Sequence, residues 1–382
     1  MAYHRRLLVR LGATLSPLFA RQPARPWRRL LVVRPDHLGD LLFLTPALRA
    51  LRAAFPRAEI VALVGPWGAE VLQHNPWVDR VLAFPFPWFD RRPRRSAFDA
   101  AHRLWQLVRR LRDERFDCAL NFRADFWWGA LALALAGIPV RVGFAHPLVS
   151  PLLTHRCLGP GPLHEVERNL VLLTSLGVPA APGPLEFVTS RAERQAARDL
   201  LARAGVPPGA PFLVVHPGAG GYGKHWTVEG WAAVVSALQA EGWRVVLTGG
   251  AAERALTAAI QAQLTRPAVD LAGQTSLGVL AAVLQRAALV LGPDCGPLHL
   301  AVALGTPTVH LFGPSDPTRF GPYGPPDRHL VVRAAVACPA CQRYGYTPDQ
   351  DHPHICMAAI TPEMVLAAVR ALSTATSLPR WL

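Results

Sequence analysis

Apolar residues along this chain gather in short runs, and each run is followed by a polar or glycine-bearing turn and then by a stretch at helical spacing. Leu30 to Arg34 is the first such run and reads as a buried strand, with the turn Pro35 to Asp40 after it. Leu41 to Phe55 reads as a helix, because Leu44, Leu48 and Leu51 recur on one face. Glu59 to Val64 is the next strand, and a strand–turn–helix–strand order implies a parallel sheet. Val81 to Phe84 and Cys118 to Asn121 are further strands. Between them, Pro85 to Arg95 reads as a surface loop and Ala97 to Arg112 as a helix. Residues 164–177 make an amphipathic helix that closes at Gly177. Residues 178–190, rich in Pro, Ala and Gly, read as a linker.

The second half repeats the pattern. An Arg- and Ala-rich helix spans about 191–204. Phe212 to Val215 is a strand, His216 to Lys224 a glycine-rich loop, and Thr227 caps a helix running to Leu238. Arg244 to Leu247 is a strand ending at Gly249-Gly250, with a helix from about Ala252. Leu289 to Leu291, Pro297 to Leu304 and Thr308 to Phe312 read as strand, helix and strand, and residues 361–373 as a last helix. No short-period repeat is present. The two halves read as two similar α/β folds.

Composition agrees with two packed domains. The chain has 382 residues, 51% of them hydrophobic and 17% charged, enough for two cores. The longest apolar stretch, Phe126 to Val140, is fifteen residues and ends at Arg141, short of a membrane span and suited to a buried helix. Arg10 interrupts the first apolar run, and no small-residue cleavage site follows a proper apolar core, so the N-terminus does not read as a signal peptide. The expected location is the cytoplasm, with the six cysteines reduced.

Charge changes the picture more. The net charge is +14 and uneven: residues 1–190 carry 25 Arg against 14 acids, and residues 1–29 hold seven Arg and no acid. Arg-rich composition accounts for part of this excess. The remainder suits an anionic membrane surface or a phosphorylated glycolipid. Nucleic acid is not expected as a partner, because helix-turn-helix, zinc-finger and RNP signatures are all missing. Of the 40 basic residues, 39 are Arg, and the single Lys is Lys224 in the most glycine-rich loop.

Three turns carry candidate chemistry. Asp36 to Asp40 follows the first strand, where open α/β sheets place ligands. Gly39 allows a tight turn and close substrate approach, and Asp40 either caps the next helix or acts as a general base. Gly218-Ala-Gly-Gly-Tyr-Gly-Lys224 satisfies G-x-G-x-x-G literally, but its helix starts only near Thr227. No acid follows Leu247 where a dinucleotide fingerprint needs one, so the loop reads either as a diphosphate cradle of amides and one Lys or as a flexible surface loop. Asp294-Cys-Gly-Pro-Leu-His299 opens a helix whose first amides favour phosphate, with Cys295 a packing residue. Cys338, Cys341 and Cys356 with His352 and His354 match no strong zinc template, and Asp349-Gln-Asp351 lies in a polar loop.

Taken in order, Arg34-Pro-Asp-His-Leu-Gly-Asp40 with Thr45-Pro-Ala-Leu48, His216-Pro-Gly-Ala with Lys224-x-Trp226, and Asp294 to His299 with Gly305-Thr-Pro-Thr and Phe312-Gly-Pro resemble glycosyltransferase family 9. This is the ADP-heptose:lipopolysaccharide heptosyltransferase family, and the resemblance runs from about residue 30 to 370. It implies an α/β fold of GT-B type, two Rossmann-like domains with parallel sheets facing a central cleft. Residues 1–29 would be a basic arm, 30–177 the acceptor domain, 178–190 the linker and 191–382 the donor domain. It implies inverting transfer of a sugar, usually heptose from ADP-heptose, to a lipid-linked glycan, with no cofactor and no essential metal. Asp40 would be the base, with Arg34 and Gly39 on the acceptor side. Lys224 would contact the donor phosphates with Gly218, Gly220, Gly221, Asp294, Gly296 and His299, and Glu253 the ribose. Cys295 departs from the usual Ser or Thr and weakens one phosphate hydrogen bond. A different nucleotide-sugar donor, a Rossmann oxidoreductase and a non-catalytic glycolipid-binding protein are the alternatives.

Overall fold

A computed structural model describes residues 2–19, 26–89, 97–159, 161–336 and 355–375. The chain forms two compact units, Met1–Gly183 and Pro184–Leu382. Residues 178–190 contain no helix or strand, and the division falls inside them.

The first unit is built on six parallel strands: β1 (Arg29–Arg34), β2 (Glu59–Val64), β3 (Arg80–Ala83), β4 (Cys118–Asn121), β5 (Val140–Phe144) and β6 (His155–Cys157). Their order is β3-β2-β1-β4-β5-β6. β1 pairs in register with β2 through Leu31↔Val61 and with β4 through Leu31↔Ala119. After Arg29 every residue of β1 is buried, as expected of a central parallel strand covered on both faces.

The second unit has β7 (Leu213–Val215), β8 (Val245–Leu247), β9 (Val269–Asp270), β10 (Leu289–Pro293), β11 (Thr308–Leu311) and β12 (His329–Val332), all parallel. Their order is β12-β11-β10-β7-β8-β9. Counted from each unit's own first strand, both sheets run 3-2-1-4-5-6, the doubly wound order. The strand order reverses between β1 and β4 in one unit and between β7 and β10 in the other. A crevice opens at the carboxyl ends of such a pair, and the turns singled out in the sequence leave from three of these four strands.

Several elements differ from expectation. The helix expected over Leu41 to Phe55 is two helices, Leu38–Leu42 and Thr45–Ala54. Pro46 has no amide to offer Leu42, so the first helix stops and Thr45 takes the Leu42 carbonyl with its hydroxyl at 2.7 Å. The apolar stretch from Phe126 splits into the helix Trp127–Leu135 and β5. Part of the expected Pro85 loop is core, since Phe86 is fully buried. Residues 1–29 contain a helix, Ala2–Phe19, that packs on Trp127–Leu135. The short strands β6, β9 and β12 and the helix Leu277–Arg286 have no counterpart in the sequence reading.

Candidate active site

In the first unit the site is organised by Arg34, the last residue of β1. Its guanidinium is buried and points across the strand reversal. Nη1 donates to the Phe122 carbonyl at 2.8 Å, just past β4, and to Asn169 Oδ1 at 3.4 Å. Nε stands 2.8 Å from Asp36 Oδ2, an ion-pair contact rather than an aligned hydrogen bond. Nη2 reaches Asp40 Oδ1 at 3.1 Å and Glu165 Oε2 at 3.3 Å. Burial alone would weaken the guanidinium's charge, but Asp36, Asp40 and Glu165 reverse that and hold its pKa above the ordinary arginine value.

Asp36 is clamped from the other side by Arg123, whose Nη1 donates to Oδ1 at 2.5 Å. Its backbone carbonyl accepts from Trp67 Nε1 at 2.9 Å. Burial pushes its carboxyl up from the usual range, against the pull of Arg34 and Arg123. Of the three carboxylates around Arg34, only Asp40 opens to solvent: its side chain is 28% exposed, against 3% for Asp36 and 6% for Glu165.

Asp40 does not cap the helix. The cap position of Leu38–Leu42 is His37, which makes no side-chain cap bond, and Asp40 lies in the first helical turn. Gly39 lies in that turn as well and is not among the described glycines with left-handed backbone, so it makes no tight turn there. It adds no side chain beside Asp40.

In the second unit the corresponding crevice holds Lys224. The residues between β7 and the helix Val228–Ala240 fold back on themselves: His225 Nε2 lies 3.1 Å from the Ala219 carbonyl, and Tyr222–Lys224 makes one 3-10 turn. Thr227 caps the following helix by accepting from Gly230 N at 3.0 Å. Trp226 anchors the loop from beneath; it is buried, and its Nε1 donates to the Ile360 carbonyl at 3.0 Å. Lys224 Nζ is thereby brought to Asp294 Oδ2 at 2.5 Å, just past β10. The other oxygen of Asp294 meets His299 Nε2 at 3.2 Å. Burial opposes ionisation of Asp294, yet the His299 hydrogen bond and the Lys224 charge override it and hold the carboxyl well below the usual carboxylate range.

Gly296 opens the helix Gly296–Ala303 after Cys295, which makes no side-chain cap. The positive end of that helix therefore faces the same crevice. Cys295 is buried and its thiol is pushed up by burial, which fits packing and not nucleophilic attack. Glu253, past β8, accepts from Gly250 N at 2.6 Å and lies against Gly218, where a Cβ would run into its carboxylate. Gly220 is exposed and Gly221 half-buried.

Sequence reasoning placed Lys224, Asp294, Gly296 and His299 in one half, and the fold brings these four to one crevice. It missed Glu165 and Asn169, whose link to Arg34 spans 131 and 135 residues and has no local signal. It named His216 only as the start of a motif and not its contact with Thr248, whose hydroxyl lies 3.1 Å from Nδ1. Among the described residues no cluster of His, Cys, Asp and Glu could hold a metal. Cys356 is buried in the core, while Cys338, Cys341, His352, His354 and Asp349 to Asp351 lie outside the described residues.

Comparison with known proteins agrees with this geometry. The chain is 29% identical over 285 residues to lipopolysaccharide heptosyltransferase 3 of Escherichia coli, covering 73% of this chain and 81% of that one. It is 27% identical over 369 residues to lipopolysaccharide heptosyltransferase 1 of Pseudomonas aeruginosa, covering 90% and 98%. In fold it is similar to a family 9 glycosyltransferase from Veillonella parvula, with TM-score 0.77, 22% identity and coverage of 93% and 99%. It is similar also to Escherichia coli ADP-heptose lps heptosyltransferase II, with TM-score 0.74, 24% identity and coverage of 91% and 99%. The architecture is that of these GT-B enzymes. The model of glycosyltransferase family 9 (heptosyltransferase) matches residues 104–348, well over half of the sequence, and the chain belongs to that family of glycosyltransferases.

Proposed function

We propose that this glycosyltransferase moves a heptosyl residue from ADP-heptose to a lipopolysaccharide-core acceptor, with inversion at the anomeric carbon. The observation that carries the reading is a matched pair of charged groups at two strand reversals. One is a solvent-open carboxylate, Asp40, held by a buried Arg34. The other is an ammonium, Lys224, held by a buried Asp294. The relatives that are named for this reaction supply the choice of sugar.

In the proposed step an acceptor hydroxyl attacks the anomeric carbon. Its proton passes to Asp40, and the bond from the sugar carbon to the diphosphate breaks with its electron pair on the leaving ADP. Arg34 aims Asp40 through its Nη2 contact. Lys224 and the amides at the start of Gly296–Ala303 meet the negative charge that grows on the diphosphate. Asp294 is assigned a supporting role and not a phosphate contact. Both its oxygens are engaged by Lys224 and His299, and a bare carboxylate beside a diphosphate would repel it. Glu253, beside Gly218, is assigned the donor ribose, and Gly220 and Gly221 a backbone approach to the phosphates.

The proposed lipid-linked acceptor and the charge excess of residues 1–190 support a working position at the cytoplasmic face of an anionic membrane. The test is release of ADP from ADP-heptose, with and without a heptose-deficient lipopolysaccharide acceptor, beside other nucleotide sugars. Acceptor-dependent ADP release selective for ADP-heptose is the expected result. Equal or better use of another nucleotide sugar would overturn the choice of donor.

A further inference from the structure

The helix Ala2–Phe19 is apolar on two opposite faces. Its inner face carries Val9, Gly12 and Ala13 against the helix Trp127–Leu135 and the turn Ser150–Leu152. Gly12 lets the two helices approach, since a Cβ there would meet Leu131. The outer face carries Leu7, Leu8, Leu11 and Leu15, each between 41% and 51% exposed. At 100° per residue these four fall within one arc of about 100°, opposite Val9 and Ala13, with Gly12 on the flank beside Leu8. A helix already packed on its unit has no need of four leucines on its solvent side, so that face is built for a further apolar contact.

The flanks identify what covers it. Arg10 is exposed about 60° beyond Leu7 at one edge of the leucine arc, and Arg6 is exposed farther round the helix. At the head of the helix, Arg5 lies over the rings of Trp88, at 5.7 Å, and Trp127, at 6.0 Å, and Trp88 is itself 40% exposed. No acid occurs before Asp36. Leucines edged by one exposed arginine, with a second farther round and an aromatic at the end, match an anionic lipid surface: an apolar layer, then phosphate headgroups, then the interface that tryptophan favours. No described helix is long and apolar enough to cross a membrane. Trp127 begins the helix after β4, so the head of Ala2–Phe19 lies at the carboxyl edge of the sheet, the edge that carries Asp36 and Asp40.

We propose that the outer face of Ala2–Phe19, with Trp88, is a docking surface that lies in the plane of an anionic phospholipid bilayer and holds the carboxyl edge of the first unit next to it. This deepens the membrane placement above and does not depend on the identity of the sugar donor.

The experiment is sedimentation of the full chain with vesicles of phosphatidylcholine, with and without phosphatidylglycerol, at low and high salt. The wild type should bind only the anionic vesicles and less at high salt. The variant Leu7→Ser/Leu11→Ser/Leu15→Ser, with every arginine kept, should lose about tenfold or more in vesicle affinity. A second measurement removes any question of folding. In Leu11→Cys labelled with an environment-sensitive dye, emission should shift to the blue on vesicle binding and be quenched by brominated lipid. A triple variant that binds vesicles like wild type, or a dye at residue 11 that stays in water on bound vesicles, overturns the proposal. So does a wild-type chain that ignores anionic vesicles but forms a dimer which the triple variant abolishes; that outcome makes the face a contact between two copies. ADP release, measured in parallel without lipid, reports separately on the reaction.

Discussion

At the scale of single residues, the second-unit site turns on one pair. Lys224 is the only lysine in a chain with 39 arginines, and its ammonium is held by Asp294 at 2.5 Å. A guanidinium is larger and fork-shaped and cannot take that place unchanged. Lys224→Ala should lower turnover about a hundredfold and weaken donor binding, because the diphosphate is charged before and after bond breaking. Lys224→Arg should restore part of both. The loss in Lys224→Ala has two components, a missing cation and a carboxylate that keeps only His299 as its partner beside the proposed phosphate position. Lys224→Ala/Asp294→Asn should therefore bind donor more tightly than Lys224→Ala alone, a comparison made by calorimetry. Equal affinity in the two would mean that Asp294 faces away from the diphosphate. The uniqueness of Lys224 was visible in the sequence. Asp294 was named for the same site, but its pairing with Lys224 was not visible, since 70 residues separate the two and the β7–β10 pairing brings them together.

At the scale of elements, the sites are strand ends plus the turns that leave them. The sequence made β1, β2, β4, β7, β8, β10 and β11 legible because buried parallel strands are unbroken apolar runs. β6 reads His-Arg-Cys and β9 is only Val-Asp, so neither carries such a run. They are strands because a neighbour supplies the pairing. The turn at Asp36 to Asp40 was legible as a site but not as a helix, because a helix start without a capping side chain leaves no mark. Gly292, inside β10, tests how tightly these elements are fitted. A Cβ there would stand 2.6 Å from the His216 carbonyl oxygen and 2.5 Å from Leu298, so the backbone leading into the Lys224 loop would have to move. Gly292→Ala should cost about 1–3 kcal/mol of stability and lower donor affinity as well, read by denaturant unfolding and by calorimetry. A variant as stable as wild type would show that the β7 and β10 ends have slack.

At the scale of the whole molecule, the proposal divides one reaction between two units of like topology. The doubled strand–turn–helix pattern announced that architecture, whereas the chemistry of each unit emerged only where distant residues meet, as Arg34 does with Glu165. The second unit also carries a pH liability. His216, His310 and His329 are held below the ordinary histidine value, chiefly by burial, His329 at about 4. They are neutral in the folded chain and take up protons when it unfolds. Stability should therefore fall as pH drops below about 6.5 and keep falling towards about 4, with His329 alone contributing about 1 kcal/mol at pH near 5.5. Asp294, depressed in its turn, adds a loss only at lower pH, below the ordinary carboxylate range. Thermal unfolding across that range checks the sign; a midpoint that is flat or rises on acidification would contradict it. The central claim is that the first unit supplies the base and the second holds the donor. Asp40→Asn keeps size and can still accept from Arg34, but cannot take the acceptor proton. The most direct measurement is its transfer rate alongside its donor affinity. The account predicts a rate lower by about 10²–10⁴-fold with donor affinity unchanged. A folded Asp40→Asn protein that transfers at the wild-type rate would contradict it.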